Sequence, residues 1–189
     1  MNLKPLLLLL TVLGFPAWSQ EYARSTAEPD VLIPLAVGNV WEYRDARTGE
    51  KAQARVIKRA EAEGQVWYLY EEFGELYWLR NNGVEQIEAI GQYGNNRIDG
   101  ALSPATIFRP PAAVAGAYTA PTGDVIEYAP CEDPLTVPAG RFPCYRYTMT
   151  LGDGGVSTNH FAVGVGVIRN EFRTSEGVSL FELVEYSVQ

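Results

Sequence analysis

LTVPAGRFPCYRY, Leu135 to Tyr147, is the stretch whose reading decides the fold. Pro138 presets the first φ angle of a tight turn and Gly140 accepts a positive φ, so the segment reads as two strands joined by a hairpin turn. The second strand alternates: Phe142, Cys144 and Arg146 point to one face, Tyr145 and Tyr147 to the other, the period of two that a strand imposes. Cys144 has one potential disulfide partner, Cys131. With Pro138 and Ala139 at the turn centre, Cys131 faces Arg146 and Cys144 faces Asp133, so the cysteines are diagonal, near the limit of disulfide reach. Bulges at Pro134 and Pro143 would close that gap. A disulfide and two buried thiols both fit the sequence.

Outward from this hairpin, short apolar runs alternate with turn residues. Before it come strands beginning at Val40 and spanning Ala52–Lys58, Gln65–Glu71, Glu75–Arg80 and Val84–Ala89, with turns at Gly64, Phe73-Gly74 and Asn81-Asn82-Gly83. Tyr118–Pro121 and Asp124–Tyr128 lead into it. Arg146–Leu151, Val156–Val163, Val167–Phe172 and Val178–Tyr186 follow it, and residues 91–109 read as a long irregular connection. Strands at such spacings, without a long amphipathic helix, mean an all-β antiparallel protein.

The first residues read as a leader rather than as structure. Lys4 supplies a positive start, Leu6–Leu13 an apolar run too short to span a bilayer, and Ala17-Trp18-Ser19 the small residues of a cleavage site. The expectation is a signal peptide over 1–19, a polar flexible arm over 20–30, and one β domain over 31–189. No cysteine follows the apolar run, so the chain reads as exported to the periplasm or beyond, not lipid-anchored and without a membrane span in its mature part. Cleavage leaves about 170 residues, enough for one domain that buries roughly 70% of its unfolded surface. Export also favours disulfide formation. The net charge of −8 disfavours nucleic acid and anionic membrane surfaces as partners.

An internal echo runs through the chain. Pro34-Leu35-Ala36-Val37 with Trp41 is matched by Pro111-Ala112-Ala113-Val114 with Tyr118. Gly64 before Trp67, Tyr68 and Tyr70 is matched by Gly140 before Cys144, Tyr145 and Tyr147, and Tyr77-Trp78 before Gly83-Val84 by His160-Phe161 before Gly166-Val167. Two repeated β units, 31–90 and 108–172, would produce this series. A composition rich in Gly and Tyr would produce it too, and the sequence leaves both explanations open.

With these residues in view, the chain resembles a group of uncharacterised exported bacterial proteins and lipoproteins, the TapB-like and neighbouring domains of unknown function. The shared pattern is PLxxGNxWxY at Pro34–Tyr43, a YWLR-x-x-GV strand pair at Tyr77–Val84, VPAGxFxC at Val137–Cys144 and GVGxV at Gly164–Ile168, where Ile168 stands in place of Val. The resemblance implies an antiparallel, curved sheet or open barrel in the cell envelope, similar to lipoprotein carriers. Its motifs are turn and packing residues, so it implies no catalytic residue.

Chemistry is sparse. His160 is the single imidazole, and it sits among packing residues. A triad with Ser157 or Ser103 has no nucleophile-elbow motif behind it, and zinc would need more His or Cys ligands. Glu71-Glu72 and Glu61/Glu63 are carboxylate pairs of the kind glycosidases use, but they fall at turns, where solvated charge is the ordinary explanation. Asp153, in a Gly-rich turn, lacks the spacing of a calcium loop. No cofactor is expected. The remaining signal is aromatic: Trp67, Tyr68, Tyr70, Tyr77 and Trp78 lie on two adjacent strands, where one face enters a core and the other can line a groove for an apolar or sugar-like ligand. The leading expectation is a non-enzymatic exported protein that binds a hydrophobic ligand or an envelope partner through a concave sheet, with a lipid, a glycan or a cell-envelope protein as its partner. Pairing through an exposed sheet edge is the alternative, and a carboxylate-dependent hydrolase ranks third.

Overall fold

The computed structural model describes residues 31–109, 115–120, 123–151 and 154–189. The stretches expected to be a leader and an arm, the segment Pro111–Val114 and Asp153 lie outside them. Alternating apolar and polar residues between glycine turns build an antiparallel meander of six strands: β1 (Val40–Asp45), β2 (Lys51–Ala62), β3 (Gln65–Glu72), β4 (Glu75–Asn82), β5 (Glu85–Ile90) and β6 (Ser103–Phe108). β7 (Gly116–Thr119) and β8 (Val125–Pro130) begin a second run, which continues through β11 (Tyr145–Thr150), β12 (Val156–Ala162), β13 (Gly166–Thr174) and β14 (Gly177–Ser187). β1 pairs with β14, so the two runs join into one 12-stranded sheet in the order β6-β5-β4-β3-β2-β1-β14-β13-β12-β11-β8-β7. The short β9 (Leu135–Val137) and β10 (Gly140–Phe142) form a separate two-stranded sheet. All described strands pair antiparallel, and the described residues include no helix.

The expected all-β class is therefore observed, as a strongly curved sheet that is not closed by a backbone ladder. β6 and β7 are its two edges, yet they lie close together. The Tyr118 hydroxyl on β7 donates to the Ile107 carbonyl on β6 at 2.6 Å, and the Arg109 guanidinium lies over the Tyr118 ring at 5.1 Å. Phe108, at the end of β6, meets Tyr147 and Phe161 edge-on at 5.4 and 4.8 Å. The sheet thus wraps around an aromatic interior, and twist carries it there because each strand is rotated in one sense relative to its neighbour.

Three elements close the interior. Residues 31–39 run into it, burying Val31, Leu32 and Ile33. The fully buried Asn39 fixes this segment by donating to the Pro34 carbonyl at 3.0 Å and accepting from the Gln189 amide at 3.1 Å. The β9–β10 hairpin covers the place where the β13–β14 ladder has ended at Arg169 and Glu182, and the Ala139 amide donates to the carbonyl of the buried Leu183 there at 3.0 Å. Asp45 holds the β1–β2 turn against β14, accepting from the amides of Arg47, Thr48 and Leu180.

The structure departs from several expectations. The segment 91–109 is not irregular throughout, because Ser103–Phe108 pairs with β5 as the edge strand β6. The expected second strand of the hairpin is broken at Pro143: β10 ends at Phe142 and β11 starts at Tyr145. Phe142 and Cys144 are buried while Arg146 is exposed, so the alternation changes phase at the proline. Proline has no N–H to offer a ladder. The same break shifts the pairing register, putting Cys131 directly opposite Cys144 rather than diagonal to it. The Cys131 amide donates to the Cys144 carbonyl at 2.9 Å, and the two form a disulfide with Cα atoms 5.3 Å apart.

Candidate functional site

The two faces of the sheet hold different cores. On the convex side of β3, β4 and β5, Trp67, Leu69, Trp78, Ile87 and Ala89 form a cluster covered by Ile98 and Leu102 from the connection to β6. That connection is held in place by the Trp78 indole, which donates to the Asn95 carbonyl at 3.0 Å, and by Glu63, which accepts from the Leu102 amide at 3.0 Å. Lys58 and Arg80 lie over the Trp78 and Trp67 rings at 5.8 and 5.3 Å. Trp67 and Trp78 are thus packing residues of an outer core, each 1% exposed. The segment 91–102 covers them.

Strand alternation sends Tyr68 and Tyr70 to the concave side, opposite Leu79 and Tyr77 on β4. Tyr68 reaches a cleft at one end of the sheet, with Pro34, Leu35, Arg80 and Asn81. Tyr70 and Tyr77 line a larger cavity of about 650 Å³ in the hollow of the sheet. Of the five aromatic candidates, the structure brings these two to that cavity, sends one to the neighbouring cleft and places two in the outer core.

Both halves of the sheet build the cavity. Tyr70, Phe73, Tyr77 and Phe108 come from the first half, Phe172 and Phe181 from the second, with Ile33, Leu79, Ile107 and Met149 between them. Phe73 occupies the β3–β4 turn with a φ of 52°, where few side chains other than Asn or Gly sit at ease. It is held there by stacking on Phe181 at 4.9 Å and by an edge contact with Tyr43 at 5.2 Å. On the opposite wall the Asn170 amide donates to the Asn159 side-chain oxygen at 2.8 Å, beside Ser157 and Ser179.

The polar groups of the first-half wall are acids and one amide. Glu72 accepts from the Tyr70 hydroxyl at 3.2 Å. Loss of solvation pushes its carboxyl up to about 7 against the smaller opposing effect of that hydrogen bond. Glu88, on β5, is pushed up to about 7 by desolvation as well. Desolvation raises the Tyr70 and Tyr77 hydroxyls, and nearby Glu72 adds to both shifts. Gln86 is 2% exposed, lines the cavity, and has no hydrogen-bond partner among the described residues for its side-chain nitrogen or oxygen.

Glu72, expected as solvated charge at a turn, instead belongs to the cavity wall. Glu88 and Gln86 were not singled out. Their alternation on β5 marked a shared face, but only the sheet's curvature shows that this face turns inward. The other catalytic candidates do not assemble. Ser157 lines the cavity, whereas His160 pairs across the ladders with Arg146 and Arg169. Desolvation, then those two cations, push the imidazole down to about 4. No group of three or more His, Cys, Asp or Glu suited to a metal ion occurs among the described residues, and no described helix is long and apolar enough to cross a membrane.

No protein-family model and no curated protein matches the chain, so the resemblance to TapB-like domains has no family match behind it. Two solved structures are similar in part. One is a protein inferred to be exported, with a YmcC-like fold, from Bacteroides fragilis: 12% identity over 84% of this chain and 99% of that one, with a TM-score of 0.43. The other is inferred to be a lipoprotein, from Parabacteroides distasonis: 14% identity over 84% of this chain and 99% of that one, with a TM-score of 0.35. Likenesses this distant transfer no function to this chain.

Proposed function

We propose that the chain is an exported, non-enzymatic binding protein that holds a small hydrophobic molecule in the hollow of its sheet. The observation that carries this reading is the cavity itself: about 650 Å³, walled by aromatic and aliphatic side chains from both halves, with nine polar or charged side chains among them. Ligand sites have this size and this make-up. The leader read over 1–19 and the Cys131–Cys144 disulfide support export, since disulfides persist in oxidising compartments. Pairing through a sheet edge has less support, because the edges β6 and β7 lean on each other through Tyr118 and Arg109. We also read the two six-strand meanders as copies of one unit. The echoed residues fall on like-numbered strands of each: Trp41 and Tyr118 on the first, Tyr70 and Tyr147 on the third, Tyr77 and His160 on the fourth.

Native mass spectrometry of the full chain after export tests the binding reading, with Ser157→Trp and Ser179→Trp as variants that fill the cavity from different strands. The expected result is a reproducible added mass, or uptake of an apolar dye such as Nile red by the bare protein, lost in both variants while near-ultraviolet circular dichroism is kept. A bare mass with no dye uptake rejects the reading.

A further inference from the structure

Among the described residues, the cavity wall contains four acids, Glu72, Glu75, Glu88 and Asp124, and no Lys, Arg or His. A carboxylate withdrawn from water is ordinarily paired with a cation, because desolvation alone makes its charge costly. The ion pairs of the described residues include neither Glu72 nor Glu88. Both act electrostatically on the Tyr77 hydroxyl, as does Glu75, so the three acids share one end of the cavity around that ring. Gln86, on the same face of β5 as Glu88, is an independent sign of a missing polar partner. It is 2% exposed, its side-chain nitrogen and oxygen lack hydrogen bonds, and it faces the cavity. Buried amides in native proteins are nearly always satisfied.

Resting on the binding reading above, we propose that the ligand is a protonated amine carried on an apolar body. The ammonium sits at the Glu72–Glu88 end beside Gln86 and Tyr77, and the apolar part lies against Phe73, Phe181 and Met149. Each feature of the wall has a counterpart in such a molecule. The carboxylates supply the counter-charge, and the Gln86 carbonyl oxygen accepts an ammonium N–H. The faces of Tyr70 and Tyr77 attract a cation through the ring quadrupole. A fatty acid or phospholipid phosphate would set its negative head among these acids with no cation to meet it, which costs affinity rather than adding it.

A matched series of decylamine, decanol and decanoate, one tail with three heads, tests this by calorimetric titration of the full chain near neutral pH, below micelle formation. Decylamine is expected to bind at least about tenfold more tightly than decanol, with decanoate weaker still. Glu72→Gln/Glu88→Gln reduces the amine preference to within about threefold while decanol binding stays the same. Glu127→Gln, at an exposed position on β8, leaves it intact, and Ser157→Trp abolishes binding of the whole series. Equal affinity for the three heads, or a preference for decanoate, overturns the inference but leaves the cavity as a binding site, as uptake of Nile red would show independently. Decylamine binding that survives Ser157→Trp is surface adsorption and also overturns it. If neither the series nor the dye binds, both readings fall. Should the double variant not fold, the amine-to-alcohol ratio of the unaltered protein and of Glu72→Gln alone decides.

Discussion

The hydroxyl of Tyr43 donates to the carbonyl oxygen of Val167 at 2.9 Å, joining the first strand of one half of the sheet to the fifth strand of the other. Trp41, two residues earlier on the same face, donates its indole N–H to Val165. Both side chains are almost fully buried, so each bond replaces water that neither group can reach. The β1–β14 seam is therefore fixed by side chains as well as by its ladder. Tyr43→Phe is expected to lower stability by about 1–2 kcal/mol, the cost of leaving the Val167 carbonyl without its partner. Gly166→Ala should cost more than about 1 kcal/mol, since its φ is +109° and an added Cβ would stand 3.2 Å from the Trp41 nitrogen. Urea denaturation of both variants checks this; unchanged midpoints would show that the ladder alone holds the seam.

The disulfide closes a short loop, with a sequence separation of 13. Chain-entropy reasoning assigns roughly 3 kcal/mol to a crosslink of this span, which for a domain this size is a fall in Tm of about 6–12 °C. Cys131→Ala/Cys144→Ala should show that loss in thermal unfolding. It should leave dye uptake by the cavity unchanged, because neither cysteine lines it. A loss of uptake at temperatures where the variant is folded would mean that the hairpin positions the cavity wall.

Phe73 gives a test with an inverted order. At ordinary positions glycine destabilises relative to alanine through backbone entropy, but Phe73 has a φ of 52°, which alanine adopts only with strain. Phe73→Ala and Phe73→Gly both lose the stacking on Phe181. The glycine variant should nevertheless be the more stable of the two by about 1 kcal/mol. The usual order would mean that the turn relaxes to another geometry once the ring is gone.

Much of the strand pattern was legible because period-two alternation and glycine turns are local signals. Gln65–Glu72 and Glu75–Asn82 announce themselves through their aromatics and the intervening Phe73-Gly74. β6 was hidden because SPATIF carries a proline and little alternation, features that an edge strand tolerates and a central one does not. The site was less legible for a different reason. Alternation puts Glu72 with Tyr70, and Gln86 with Glu88, on one face, but it does not say which face is concave. That depends on curvature, and on residues as distant as Phe181 meeting Phe73. The disulfide depended on a register shift at Pro143 that local pattern suggests and only pairing fixes.

The raised carboxyls contribute a pH dependence of stability opposite in direction to that of an ordinary salt-bridged carboxylate. Glu72 and Glu88 titrate near 7 in the folded chain, against about 4.3 for an unfolded glutamate. Between those values the native state holds protons that the unfolded state has released. Their contribution to stability therefore falls as pH rises through that window and levels off above the folded values, while His160, pushed down to about 4 in the folded chain, contributes in the opposite direction up to its unfolded value of about 6.5. Both side chains keep some access to water, which reduces the effect to the order of 1 kcal/mol for each group. Glu72→Gln/Glu88→Gln should remove most of this slope and be more stable than the unaltered protein at pH 8, with little difference at pH 4.5. Urea midpoints measured across this range check it. A double variant whose stability follows that of the unaltered protein in parallel from pH 5 to pH 8 would show that the two carboxylates find a compensating charge in the folded chain, which would also deprive the cavity of its demand for a cation.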